Sequence, residues 1–152
     1  MLQASLNTIF GPLCVTETDG VITCLVWDAV STPDTSSLLT NALEQLSAYC
    51  DGDLTEFDLP VRVQGPSLVQ AVCDVMRTIP HGETMTYGDI AKRVGASAQA
   101  VGQACGRNPI PVIIPCHRVM GAGGKLVGFS GAGGVETKVA LLRHENAAGL
   151  LI

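Results

Sequence analysis

The hydrophobic period of this chain changes at Gly65-Pro66, and that change restricts the fold more than any other feature. Upstream lie three short apolar runs, Leu2–Phe10, Leu13–Thr18 and Val21–Trp27, separated by Gly11-Pro12 and Asp19-Gly20. Asp-Gly between alternating runs is a hairpin signal, because both residues of the tight turn need positive φ. Ser31–Asp34 reads as a turn. An amphipathic helix follows over Ser36–Tyr49, with Leu38, Leu39, Ala42, Leu43, Leu46 and Tyr49 at helical spacing. Asp51–Gly65 shows little periodicity and reads as a linker. The expected organisation is a β-rich domain over 1–60, with its linker from about 51, and a second domain over 65–152.

Downstream the period becomes helical. Leu68, Val69, Val72, Cys73 and Met76 share one face, Pro66 suits the first turn, and Pro80 and Gly82 end the element. Thr86 caps a helix over Tyr87–Val94 closed by Gly95, and Ser97 caps another over Ala98–Gly106. Two short helices joined by a glycine turn fit a helix-turn-helix, and equally an ordinary helical hairpin. In the second helix Ser97, Val101 and Cys105 are expected to face the core. Ala98, Ala100 and Gly102 leave a small-sided surface that lets a partner backbone approach closely, whether nucleic acid or another helix. Gln99 and Gln103 share an exposed face. Asn108-Pro109 ends the helix, and Pro109, Pro111 and Pro115 punctuate an extended apolar segment. Gly121–Gly124 reads as a turn, Leu126–Phe129 as a short strand and Ser130–Gly134 as a loop. The last helix is expected over Val135–Glu145, with Val135, Val139, Leu141 and Leu142 buried. The fold class is α+β.

At 152 residues, 47% apolar and 15% charged, the chain can fill one or two small cores and is not a disordered segment. No apolar run approaches a membrane span and no secretory leader is evident, so a cytoplasmic location without membrane contact is expected. Six cysteines show no CxxC pair and no metal-finger spacing; neither a disulfide framework, nor a metal, nor a cofactor is expected. The net charge of −5 argues against a polyanion partner for the chain as a whole. Its distribution argues otherwise: residues 1–60 contain no Lys or Arg, and all nine basic residues follow. The second domain can therefore face nucleic acid.

The chemistry concentrates in Ile114-Pro115-Cys116-His117-Arg118-Val119. A thiol is a nucleophile as thiolate, and a nearby imidazole and cation favour that form. His117 is a candidate base and Arg118 a candidate cation or local anchor. Adjacency alone is weak, because neighbouring side chains on a strand point to opposite faces.

Three motifs in order carry more weight: Ala100-Val101-Gly102 leading to Arg107-Asn108-Pro109, then Pro115-Cys116-His117-Arg118-Val119, then Gly133-Gly134 with Lys138, Leu141-Leu142 and Glu145. Together they resemble the O6-alkylguanine-DNA alkyltransferases, the methylated-DNA–protein-cysteine methyltransferases, closely over about Gly65–Glu145 and only architecturally over 1–60. The resemblance implies a small ribonuclease-H-like antiparallel β-sheet domain with a helix, followed by a mainly helical domain with a helix-turn-helix that docks in the minor groove. It implies single-turnover repair of double-stranded DNA containing O6-alkylguanine, and of O4-alkylthymine, by a monomer: the base is flipped out and its alkyl group moves to Cys116. His117 would take the thiol proton through a water, Glu145 would orient the imidazole, Asn108 would tie the helix pair to the thiol segment, and Tyr87 would donate a proton to the leaving purine. Pro111, Val119, Phe129 and Ser130 match pocket positions. Ala98, Gln99, Ala100 and Gly102 match the DNA-facing helix.

Gln99 departs from the family, which usually carries an arginine there to fill the gap left by the flipped base. Glutamine lacks the charge and the stacking plane, so weaker DNA binding and slower repair are expected. The turn between the two helices is shorter than in many relatives, and Leu68 and Cys73 stand where Phe and Trp are common. Cys73 reads as a core substitution and not as a second acceptor. Two other classes compete. A sensor that binds alkylguanine and recruits other factors would lack an acceptor cysteine, and a Cys–His hydrolase acting on small molecules would turn over without DNA.

Overall fold

The computed structural model describes residues 1–126 and 134–148, and the chain forms two compact units, Met1–Arg62 and Val63–Ile152. In the first, β1 (Leu2–Thr8), β2 (Gly11–Thr18) and β3 (Val21–Val26) make an antiparallel meander with β2 in the middle. Asp19 and Gly20 both take positive φ, 52° and 79°, between the paired residues Thr18 and Val21. This is the two-residue turn whose twist matches that of the strands it joins. Helix α1 (Ser37–Cys50) starts where the Ser36 side chain accepts the Leu39 N–H at 3.0 Å. It packs on β1 and β2 and buries Leu39, Ala42, Leu46 and Tyr49.

The stretch from Asp51, expected as a linker, is tied to this sheet as far as Arg62. Ile22 N–H donates to the Pro60 carbonyl at 2.8 Å, and Arg62 N–H donates to the Ile22 carbonyl at 3.0 Å. The Gln45 side chain brackets the backbone of Asp58, and Leu59 is buried. A single parallel bridge, Ile22 with Val61, is too short to leave an alternating pattern in the sequence.

The second unit holds α2 (Ser67–Met76), α3 (Tyr87–Val94), α4 (Ala98–Cys105) and α5 (Val135–His144), with a short parallel pair of β4 (Met85–Thr86) and β5 (Val119–Met120). Helices α2, α3 and α4 pack on one another, burying Val69, Val72, Cys73, Met76, Ile90, Val101 and Ala104. Helix α3 opens with a reciprocal cap: Asp89 N–H donates to Thr86 Oγ1, and Thr86 N–H donates to Asp89 Oδ2, both at 3.0 Å. It closes at Gly95, whose φ of 70° lets its own N–H and that of Ala96 return to the Ala91 carbonyl. Pairing of Met85 with Val119 and of Thr86 with Met120 fastens the start of α3 to the chain just past residue 118.

Two expected core faces are corrected. Ser97 is exposed, because its hydroxyl caps α4 by accepting the Ala100 N–H at 3.1 Å, and Ala104 joins Val101 and Cys105 inside. On α5, Val135 is 41% exposed and Val139 half-buried, whereas Lys138, Leu141 and Leu142 are buried and Glu145 is buried just past the helix end. The inward stripe runs 138, 141, 142, 145, ordinary helical spacing in which two members carry charge. The expected strand over Leu126–Phe129 and loop over Ser130–Gly134 fall mostly outside the described residues; Leu126 itself packs on Met120, Leu142 and Ala147. Among the described residues no helix is long and apolar enough to cross a membrane.

A Cβ at Gly95 would meet nothing within 4 Å, so substitution there tests backbone conformation alone. Gly95→Ala should lower unfolding stability by about 1–2 kcal/mol and Gly95→Asn by less, as read by urea denaturation. Equal stabilities would contradict the left-handed turn.

Candidate active site

Between α4 and the thiol the chain makes a strained, fully buried turn. Val112, a β-branched residue, has φ of 73°, and Ile114 N–H donates to the Ile110 carbonyl at 2.9 Å around it. Such a conformation costs on the order of 1–3 kcal/mol and persists only where surroundings impose it. The Asn108 carboxamide does so from inside: Oδ1 accepts the Ile110 N–H at 3.0 Å, and Nδ2 donates to the Ile114 carbonyl at 2.9 Å. Both ends of the turn are thus stitched to one buried side chain. Beyond Pro115, residues Cys116–Arg118 form a single 3-10 turn. All three of its side chains are buried, so the alternation that separates neighbours on a strand does not apply.

Glu145, 3% exposed, is the centre of a charged network. Its Oε2 lies 2.7 Å from His117 Nε2, and Arg118 donates through Nε to Oε1 at 2.8 Å and through a terminal nitrogen to Oε2 at 3.0 Å. The other terminal nitrogen of Arg118 donates to the Ile79 carbonyl at 2.7 Å. Burial pushes the Glu145 carboxyl up, but the hydrogen bonds from His117 and Arg118 more than reverse this and hold it well below the usual carboxylate range. An ionised Glu145 requires His117 to carry its hydrogen on Nε2, which leaves Nδ1 as an acceptor. Nδ1 is buried and has no hydrogen-bond partner among the described residues. Burial lowers the proton affinity of His117, with Glu145 opposing.

Arg118 therefore anchors local structure and is not the cation that acts on the sulfur. That charge comes from Lys138, fully buried on α5, whose Nζ donates to the Val119 carbonyl and sits 5.8 Å from the centroid of the Tyr87 ring. Burial pushes the Cys116 thiol up, while a hydrogen bond from Asn108 and the Lys138 charge pull it back. Burial likewise lowers Lys138, and the neighbouring Cys116 and Cys105 raise it.

Of the residues singled out from sequence, Cys116, His117, Glu145 and Asn108 converge on this network. Tyr87, the first residue of α3, is half-buried beside it; burial, then Cys105 and Cys116, push its hydroxyl up to about 12, so it stays protonated. Pro111 and Val119 are buried in the same segment. Ala98 and Gln99 are exposed on α4, away from the buried network, and Ala100 and Gly102 are half-buried; a Cβ at Gly102 would touch the Tyr87 ring at 4.0 Å. Phe129 and Ser130 lie outside the described residues. The sequence reading assigned no role to Lys138. Its spacing to Leu141, Leu142 and Glu145 was the available signal. No group of three or more potential metal ligands occurs among the described residues.

Comparison with known proteins identifies relatives of the chain. Residues 67–147 match the family model for the DNA binding domain of 6-O-methylguanine DNA methyltransferase. The methylated-DNA–protein-cysteine methyltransferase of Mycobacterium tuberculosis (strain H37Rv) is 48% identical over 118 residues, covering 76% of this chain and 70% of the relative. That of Mycobacterium leprae is 41% identical over 150 residues, covering 93% and 90%. The crystal structure of the M. tuberculosis O6-methylguanine methyltransferase superposes with a TM-score of 0.85 at 41% identity, over 95% of this chain and 92% of that one. The structure of the M. tuberculosis OGT in complex with DNA gives 0.84 at 41% identity, over 96% and 93%. The chain belongs to the methylated-DNA–protein-cysteine methyltransferase family.

The network sets a pH dependence of stability. His117 has a folded pKa below its unfolded value near 6.5, so its contribution is complete above about pH 6.5 and is lost as pH falls through the folded value. Glu145, also depressed, contributes above about 4.3 and loses its share at more acid pH. Unfolding free energy should therefore start to fall below about pH 6.5, by up to about 1.4 kcal/mol per pH unit for each extra proton bound by the unfolded chain. Urea titrations between pH 8 and 4 should show a shallower slope between 6.5 and 5 for His117→Gln; an unchanged slope would contradict a buried neutral imidazole.

Proposed function

We propose that this protein repairs O6-alkylguanine in double-stranded DNA by moving the alkyl group, once per molecule, onto Cys116. The observation that carries the proposal is a buried thiol held among Asn108, Lys138 and a His117–Glu145–Arg118 network. The sulfur attacks the alkyl carbon in line, the carbon–sulfur bond forms as the carbon–oxygen bond breaks, and guanine departs with the electron pair. The thiol proton passes through a water to Nδ1 of His117. Glu145 keeps the imidazole in the tautomer that can accept it and stabilises the resulting cation. Tyr87, protonated before the reaction, gives its hydroxyl proton to the departing purine. A thioether is not hydrolysed, so nothing regenerates the thiol. O4-alkylthymine offers the same carbon to the same sulfur and is a second substrate.

A base inside a duplex is beyond the reach of a buried thiol, so the lesion nucleotide must leave the stack. Helices α3 and α4 act as the helix-turn-helix, with α4 entering the minor groove, where the small side chains of Ala98, Ala100 and Gly102 let the backbones come close. Gln99 fills the space left in the duplex, and Pro111, Val119, Phe129 and Ser130 wall the pocket that receives the base. All nine basic residues lie beyond residue 60, which assigns DNA to the part from 65 onward; the part over 1–60 is the ribonuclease-H-like domain. The protein works in the cytoplasm as a monomer and without a cofactor. A DNA complex of a relative 41% identical supports the same partner here. A sensor that binds without reacting has no use for an acceptor thiol, and Cys116 speaks against it.

Intact-protein mass spectrometry after mixing with duplex DNA containing O6-methylguanine should show one methyl group per molecule, mapped to Cys116, and none on Cys116→Ser. Multiple turnovers, or repair by the serine variant, would overturn the proposal. Gln99→Arg should tighten duplex binding and speed transfer by the equivalent of roughly 1–2 kcal/mol, measured by gel shift and single-turnover kinetics. Unchanged or lower values would show that the glutamine is not a weak point.

A further inference from the structure

We propose that Cys73 is a positioning residue for the acceptor thiol, acting through the Asn108 carboxamide; the proposal rests on Cys116 being the reacting sulfur. A carboxamide has four hydrogen-bonding positions, two lone pairs on oxygen and two hydrogens on nitrogen. In Asn108, Oδ1 accepts from Ile110 N–H and one Nδ2 hydrogen goes to the Ile114 carbonyl, which also accepts the Cys116 N–H at 2.8 Å; the carboxamide eases ionisation of the Cys116 thiol. The second lone pair of Oδ1 is met by Cys73 Sγ at 3.9 Å, within the reach of a thiol donor. Cys73, on α2, is fully buried, and Asn108 nearly so. A line of hydrogen bonds thus runs from the Cys73 S–H through the carboxamide to the Ile114 carbonyl, on which the Cys116 N–H also rests.

The direction of that line matters. A donor on the amide oxygen draws electron density from the nitrogen and makes its N–H a stronger donor. The pull of the carboxamide on the Cys116 sulfur is greatest when that sulfur is negative, so Cys73 favours the anionic form from one group away. Cys73 can do this only while it keeps its own proton. Burial, then Cys116 and Asp74, push its ionisation up to about 12, so at neutral pH it remains a donor and does not compete as a nucleophile. The other thiol in this region, Cys105, faces the Met76 sulfur at 3.7 Å.

The test is the pH profile of Cys116 carbamidomethylation by iodoacetamide without DNA, followed by peptide mass spectrometry, for wild type, Cys73→Ala and Cys73→Ser. Urea stabilities are measured in parallel. Serine keeps a donor but places a hydroxyl in an apolar site; alanine removes the donor at lower polar cost. Cys73→Ala should move the midpoint for Cys116 upward by about half a pH unit, roughly threefold slower at neutral pH. Cys73→Ser should restore the wild-type profile despite being the less stable of the two. Reactivity that ranks with stability, or one midpoint shared by all three proteins, would reduce Cys73 to packing and overturn the proposal. If either small variant fails to fold, the isosteric pair Cys73→Thr and Cys73→Val decides by the same ranking. Iodoacetamide reads the sulfur without any lesion, so failure of methyl transfer from DNA and failure of this relay give separate results.

Discussion

Placing a carboxylate in a protein interior costs several kcal/mol unless its charge is matched and its lone pairs are filled. Glu145 meets that condition with three hydrogen bonds from two residues that are adjacent in sequence, His117 and Arg118. The consequences spread beyond the carboxylate. Arg118 also holds the Ile79 carbonyl, so the chain after α2, the thiol turn and the end of α5 meet at one guanidinium. Residues 119–120 follow directly and pair with β4, which leads into α3 and its Tyr87. Removing Arg118 would leave a buried charge uncompensated, which costs far more than the pair contributes when complete, whereas removing His117 would leave one carboxylate lone pair unfilled. The same bonds that define the tautomer of His117 therefore hold together the segments that surround the sulfur.

Much of the architecture could be read from residues because it is set locally. The Asp19-Gly20 turn, the Thr86–Asp89 cap, the left-handed Gly95 and the Ser97 cap each follow from the chemistry of one or two side chains. The errors arise where tertiary context overrides a local rule. On α5 the apolar residues Val135 and Val139 attracted the core assignment, yet the helix turns Lys138 and Glu145 inward because each finds a partner there. A pattern of apolar residues alone cannot register a buried charge that is paired. The segment after α1 was misread for a different reason: its link to β3 is made by backbone groups, and those leave no trace in side-chain periodicity.

The site divides in the same way. Cys116, His117, Asn108 and Glu145 were accessible because they lie in motifs whose order matches a known family. Arg118 sits in the middle of the strongest motif, and its pair of hydrogen bonds to Glu145 depends on a contact across 27 residues that spacing does not encode. Lys138 was passed over because an isolated lysine on a helix ordinarily faces water. Here it lies beneath the Tyr87 ring and on the Val119 carbonyl, close enough for its charge to act on Cys116.

If Cys116 is the acceptor, as proposed, its burial raises a conflict that the surrounding groups resolve. A sulfur that is 5% exposed is shielded from bulk water, and that exclusion of water disfavours the thiolate. The opposing groups, the Asn108 amide, the Lys138 ammonium and the Nδ1 lone pair of His117, are all fixed before any substrate arrives. Asn108 is locked by the two ends of the Ile110–Ile114 turn and His117 by Glu145, so neither has to reorganise as charge moves onto sulfur. Strain at Val112 fits this picture. The left-handed residue bends the chain so that both ends of the turn reach one carboxamide, and the buried hydrogen bonds keep it there. A thiol used once gains nothing from mobility that would help product release, and a rigid cradle suits a reaction that ends with the product bonded to the protein.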